Sequence, residues 1–213
     1  MVADVTFGIT AFERPRHLAR LVRALLQYYP GARILLADNG RDKCPGLPRE
    51  VRSLDVPFDC GLSSARNALV DALETPYLML LEEDFLLTRE SHIPLLVDVL
   101  ESDPEVGAVG GAVRNVEGRV NSYCMNLDVF RNVMTVRETR EQVRFTERGL
   151  PYWLCDMCWN FALFRRDMLR DHRWDDRLKV GEHAAYFHQV RLAGQWRVAC
   201  CPSVVCFHAT TQR

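Results

Sequence analysis

The run Pro76–Leu81 (PYLMLL) is apolar throughout and breaks off abruptly into Glu82-Glu83-Asp84. A strand that alternates apolar and polar residues covers one face of a sheet, whereas one apolar at every position needs cover on both faces. Such a strand belongs inside a parallel sheet with helices on each side. The preceding sequence supplies the other layers. Asp4–Thr10 is a short apolar, β-branched run, and Pro15 suits the helix start that follows it. Leu18, Leu21, Val22, Leu25, Leu26 and Tyr29 recur at helical spacing and leave Arg16, Arg20 and Arg23 on the opposite face. Arg33–Asp38 reads as the next strand, closed by the turn signal Asp38-Asn39-Gly40. After an irregular stretch with one short strand near Val51–Val56, a helix capped by Ser63 or Ser64 is expected to run to about Glu74. Ile93, Leu96, Val97 and Leu100 mark a further helix, and Val106–Val113 a further strand. Strand–helix–strand repetition of this kind predicts an α/β fold, doubly wound around a mostly parallel sheet with helices on both faces.

The second half has a different texture. Residues 119–148 mix β-branched and charged positions, including RETREQVRFTER, and read as a solvated hairpin or loop. Residues 158–165 are expected as a strand, Glu182–Leu192 as a helix, and Trp196–Phe207 as one or two final strands. With no repeat and no linker-like segment, residues 1–213 are read as a single domain.

Charge and cysteine usage exclude several classes. The 27 Lys+Arg against 28 Asp+Glu give a net charge of −1, which argues against a nucleic-acid binder. No apolar run approaches the roughly 18–20 residues that a membrane span requires. The N-terminus MVADVTFGIT lacks a basic leader and a cleavage site, so a reducing, cytoplasmic location is expected. The 8 cysteines are then mostly small apolar residues. Cys155 and Cys158 have metal-knuckle spacing, and Cys206 with His208 would complete a zinc set. A second tight pair is lacking, however, and buried thiols are the expectation.

In an open parallel sheet, ligands bind beyond the carboxyl ends of the strands. Here those ends carry Thr10 to Arg14, Asp38-Asn39-Gly40 and Glu82-Glu83-Asp84. The dinucleotide fingerprint GxGxxG and the phosphate loop GxxxxGK[ST] are both absent, which leaves a nucleotide held through a metal as the economical reading. Adjacent carboxylates at the end of a buried strand repel one another unless a cation compensates them. Hard divalent cations such as Mg²⁺ or Mn²⁺ take such oxygen ligands and leave positions for phosphates.

The order TAFER after the first strand, Asp38 after the second, FDCGLSSARN and then EEDF resembles the inverting glycosyltransferases of the GT-A fold, broadly of the family-2 type. LVDVLESDPEVGAVGGAVRNVEGRV, CDMCWNFALFRRD and WDDRLKVGEHAAYF are similar to segments of β-1,4-N-acetylgalactosaminyltransferases, so the resemblance covers nearly the whole chain. It implies transfer of GalNAc, Gal or GlcNAc from a UDP-sugar to an acceptor hydroxyl of a glycan or other molecule. It also implies inversion and a Mn²⁺ or Mg²⁺ cofactor. Residues 1–113 would hold the nucleotide sugar and residues 114–213 the acceptor, with room for a homo-oligomer. Thr10 and Phe12 would lie along the base, Asp38 would accept from uracil N3–H, and Arg14, Arg66 and Glu83 would surround the nucleotide. Glu82, Asp84 and His208 would bind the metal, with Glu82 in place of the usual Asp. For the catalytic base the resemblance implies an acid where this chain has Ala185. Glu182 is then the first candidate, Asp156 the second and His183 the third. The alternative reading is a sugar-nucleotide-binding module without turnover.

Overall fold

The run after Pro76 does cover two faces. The computed structural model describes residues 2–209 except 116, 122, 123, 132 and 180. Its elements are β1 (Val5–Ala11), α1 (Pro15–Tyr28), β2 (Arg33–Asp38), β3 (Val51–Ser53), α2 (Gly61–Asp71), β4 (Tyr77–Glu82), β5 (Phe85–Leu86), α3 (Pro94–Ser102) and β6 (Val106–Arg114). They continue with β7 (Val120–Asn121), β8 (Met125–Phe130), β9 (Val133–Glu138), β10 (Gln142–Phe145), β11 (Pro151–Cys155), β12 (Ala162–Arg165), α4 (Arg166–Asp171), α5 (Glu182–Ala193) and β13 (Arg197–His208). Along β4 the two-residue strand period sends Tyr77, Met79 and Leu81 into the core shared with α1 and α3. Leu78 and Leu80 enter the core shared with α2, α4 and α5. Helices therefore lie on both faces, as the pattern predicts.

The sheet order is β10-β11-β13-β6-β12-β4-β1-β2-β3, with β5 beside β13 and β7 beside β6. β1 pairs in parallel with both β2 and β4, and β6 pairs in parallel with β13. Only tertiary structure reveals the insertion of β12, which runs antiparallel between β4 and β6. Ala162, Leu163 and Phe164 are fully buried there, so a strand from the second half completes the middle of the sheet. The last element is one strand with an irregularity between Cys200 and Val205, around Pro202.

The segment 119–148 contains the expected hairpin, β8–β9, which pairs as a sheet of its own. The expected serine cap of α2 is replaced by a different arrangement. The helix starts at Gly61, which has φ of +84°, and Ser63 and Ser64 donate instead to Leu178 O and Asp176 Oδ1. Asn67 joins them by donating to Trp174 O at 2.8 Å and Asp176 Oδ1 at 2.9 Å. These side chains fasten α2 to the 174–178 segment, a use that outcompetes capping. No helix among the described residues is long and apolar enough to cross a membrane.

Candidate active site

The strand ends that the sequence singles out do converge. Asn39 N–H donates to Ala11 O at 3.0 Å, and Asp59 N–H to Asn39 O at 2.9 Å, linking the loops after β1 and β2 to the entry of α2. Gly40 is needed in this turn because a Cβ there would stand 2.7 Å from the Glu13 backbone nitrogen. Glu13 and Asp59 take φ of +58° and +51°, conformations that are costly for residues with a side chain. Both line a cavity of about 710 Å³ together with Thr10, Phe12, Arg14, Asn39, Lys179 and all three carboxylates of 82–84. That volume suits a nucleotide-sized ligand. Thr10 Oγ1 is buried there without a hydrogen-bond partner. Phe12 is exposed, with its ring centre 6.0 Å from that of Phe58, which Arg41 covers on its face at 4.4 Å.

The carboxylate run divides by direction. Asp84 meets His208 because β5 and β13 pair antiparallel with His208 opposite Phe85, and Ala209 N–H closes the end on Asp84 O. Nε2 of His208 lies 3.4 Å from Asp84 Oδ2, and Arg14 donates to the same oxygen at 2.6 Å. Burial opposes ionisation of Asp84, yet the His208 hydrogen bond and charge, with Arg14, hold its carboxyl below the usual range. The same hydrogen bond raises the His208 pKa against the opposing effect of burial. Glu83 is pushed up to about 7, chiefly by burial and also by the charges on Asp84 and Glu82. Glu82 turns the other way. It receives Asn160 Nδ2 at 2.6 Å and Arg66 at 3.3 Å, and burial raises its pKa against those two partners.

Glu82, Asp84 and His208 each bring one ligand atom to within 4.8 Å of the other two. Asp84 Oδ1 is buried and has no hydrogen-bond partner, the state expected of an oxygen that serves a ligand. Two carboxylates and an imidazole suit Mn²⁺ or Mg²⁺ chemistry. The residues present therefore fit a divalent cation.

The carboxylates and the cavity thus lie together at the carboxyl edge of the parallel strands, and residues 6–173 match the glycosyl transferase family 2. The chain belongs to that family. Over 212 residues it is 30% identical to beta-1,4 N-acetylgalactosaminyltransferase 1 of Mus musculus, an alignment that takes in 98% of this chain and 39% of the relative. The chain thus spans well under half the length of that glycosyltransferase. The crystal structure of S. aureus TarS in complex with UDP-GlcNAc superposes with a TM-score of 0.69 at 12% identity, covering 98% of this chain and 59% of that one. Mannosyltransferase PcManGT from Pyrobaculum calidifontis, in complex with GDP-Man and Mn²⁺, gives 0.68 at 16% identity, with 99% and 58% covered. These likenesses establish the GT-A fold.

Not every residue marked from the sequence of this family-2 chain reaches the cavity. Arg66 is fully buried, and its guanidinium lies between Glu82 at 3.3 Å and Glu182 at 3.0 Å, so its charge is spent inside the protein. Asp38 Oδ1 accepts from Gly40 N–H at 2.9 Å within the turn, one residue behind the cavity-lining Asn39. Asp156 lies elsewhere, accepting from Leu127 N–H at 2.8 Å and facing Arg191 in another cavity of about 410 Å³. The Nε2 of His183 is bonded to Cys158 O at 2.6 Å, and burial together with the Arg66 charge holds its pKa down at about 3. Neither Asp156, Glu182 nor His183 is among the residues lining the cavities that contain Glu82.

Two further residues belong to the site. Lys179 pairs with Asp59 at 2.9 Å at the cavity wall, and Asn160 holds Glu82. Their segments stand out in the sequence as family-like, but a lysine after a turn and an asparagine before a strand carry no signal of their own. Only the packing of the second half over the first brings them there.

Proposed function

We propose that this chain transfers GalNAc, Gal or GlcNAc from a UDP-sugar to an acceptor hydroxyl, with inversion and dependence on a divalent cation. The observation that carries the reading is the convergence of Glu82, Asp84 and His208, with an unpartnered buried oxygen on Asp84, where two cavities meet. The first cavity would take the nucleotide, with Thr10 and Phe12 beside the base, Arg14 and Lys179 facing the diphosphate, and Asp38 holding the turn that presents Asn39. The second, about 510 Å³, shares Glu82 with the first and is bounded by His208, Asn115, Trp159 and Glu138. It would take the acceptor, with Trp159 offering a ring face to a sugar. Glu82, Asp84 and His208 would hold Mn²⁺ or Mg²⁺, which when bound offsets charge on a diphosphate. Residues 1–113 would serve the donor and 114–213 the acceptor.

Arg66 acts in this scheme as a positioning residue: it orients Glu82 and carries no ligand. Glu182 is the proposed base because Arg66 links it directly to Glu82, whereas Asp156 and His183 are engaged elsewhere. Its carboxylate would have to leave Arg66 to take the acceptor proton.

The test is thermal stability with UDP in Mn²⁺ and in chelator, followed by transfer assays across a panel of UDP-sugars. A ligand that binds the native state raises its stability by mass action, so a larger UDP shift with Mn²⁺ is expected. An equal shift in chelator would remove the metal from the scheme. Glu182→Gln should lower turnover by about 10²–10⁴-fold while UDP affinity persists. The engagement of all three candidate bases also favours a second reading, a sugar-nucleotide-binding module. Mn²⁺-dependent UDP binding with no transfer from any donor would select it.

A further inference from the structure

Cys124, Cys155 and Cys200 come from three distant stretches of chain, yet their sulfurs lie within 4.8 Å of one another. The convergence has two causes. β11 and β13 pair antiparallel with Trp153 opposite Cys200 and Cys155 opposite Val198, so Cys155 and Cys200 are diagonal neighbours on one face. Their sulfurs stand 3.7 Å apart. Cys124 is brought to them by the backbone around it: Met125 N–H donates to Met157 O at 3.0 Å, and Asp156 and Met157 N–H both donate to Met125 O at 2.9 Å. The Cys155-Asp-Met-Cys158 spacing is therefore not a knuckle. Cys158 points to a different neighbour and packs where a Cβ on Gly110 would touch it at 2.6 Å.

We propose that these three thiols bind a thiophilic divalent cation of the zinc class and that the ion fastens the β8–β9 hairpin to the main sheet. The distances select this chemistry over a disulfide. Two thiolates each about 2.3 Å from zinc stand about 3.8 Å apart in a tetrahedral site. A disulfide requires its sulfurs at about 2.05 Å. Three thiolates leave a fourth position for water, and the cavity of about 410 Å³ that reaches Cys155 provides a route for both ion and water. Arg140 lies close enough to Cys124 to offset part of the surplus negative charge. This set is also distinct in kind from Glu82, Asp84 and His208, whose oxygen-rich donors favour harder ions.

The hairpin gives the ion a purpose. A two-stranded ribbon is marginally stable by itself in water, and among the described residues β8–β9 forms a sheet of its own, joined to the main body by a single bridge between Met125 and Met157. Leu127 is buried near its base, but Val129, Phe130, Val133 and Val136 further along are exposed, so burial secures the base and contributes little beyond it. Cys124 lies at its base, where Thr139 N–H donates to Cys124 O at 2.8 Å. Met125 and Glu138, on either side of that base, line the 510 Å³ cavity, so the ion would fix one wall of it. Nothing in this proposal depends on glycosyl transfer.

Cobalt is the probe, because thiolate ligands give Co²⁺ an intense near-ultraviolet charge-transfer band that oxygen and nitrogen ligands do not. The fully reduced, folded protein titrated with Co²⁺ should develop that band to saturation at one equivalent and lose it on addition of Zn²⁺. The band should persist in Asp84→Asn and vanish in Cys200→Ser. Trypsin cleavage after Arg131 and Arg137 should slow when Zn²⁺ is added to the wild-type protein, a readout that stands even where the cysteine variant fails to fold. Absence of the band in reduced wild-type protein overturns the proposal, as does a band that survives Cys200→Ser. Hairpin cleavage unchanged by Zn²⁺ overturns the fastening role.

Discussion

In the parallel half, β1, β2 and β4 are buried almost along their length, and the residues facing the main cavity sit where those strands end. In the hairpin half, every residue of β9 and β10 is exposed, yet β7, β8 and β9 contribute part of the wall of the second cavity. The two sides of the candidate site therefore rest on different foundations. On one side a close-packed sheet sets side-chain positions, and a change is transmitted to the fold. On the other, few contacts set the wall, and substitution there costs little.

The largest effect should come from the buried pairing beneath the cavity. Arg66→Met leaves Glu82 and Glu182 without their shared counter-charge and is expected to cost about 3–5 kcal/mol, read by chemical denaturation. A loss below about 1 kcal/mol would mean that the parallel half does not depend on this network, and the contrast with the hairpin half would weaken.

An intermediate effect is expected at the junction, where His183 on α5 holds the Cys158 carbonyl. Its native pKa lies at about 3 and its unfolded value near 6.5, so the unfolded chain binds the extra proton between those limits. Stability from this group is complete above about pH 6.5 and is lost as pH falls from there towards 3. His183→Gln keeps a donor for the carbonyl and removes the titration, so its stability should change less between pH 7 and pH 5 than that of the wild type. An equal loss of unfolding free energy between pH 7 and pH 5 in the variant and the wild type, read by urea unfolding, would place the pH sensitivity elsewhere.

The smallest effect belongs to the hairpin. Phe130 is 72% exposed, and Phe130→Ser should change stability by no more than about 0.5 kcal/mol. A larger loss in thermal unfolding would show that the hairpin is packed more firmly than its exposure indicates.

Residue patterns alone carried much of the parallel half. Arg33–Asp38 and the apolar run before Glu82 are strands because their composition permits little else, and their ends mark the cavity by the geometry of parallel sheets. The serine cap expected for α2 failed because Ser63 and Ser64 found partners more than a hundred residues away. The same limit applies to Arg66: an arginine in a helix near a carboxylate triplet reads as a ligand contact until Glu182 is seen across from it.

What the sequence by itself determined is the α/β class, the helices on both faces and the carboxylate run at a strand end, all consequences of local periodicity and of solvation. Tertiary structure alone decided the insertion of β12, the meeting of His208 with Asp84 and the gathering of Cys124, Cys155 and Cys200. Each of these depends on which strand lies beside which and in what register. That choice is made by the packing of surfaces far apart in the chain, and short-range pattern contains no term for it.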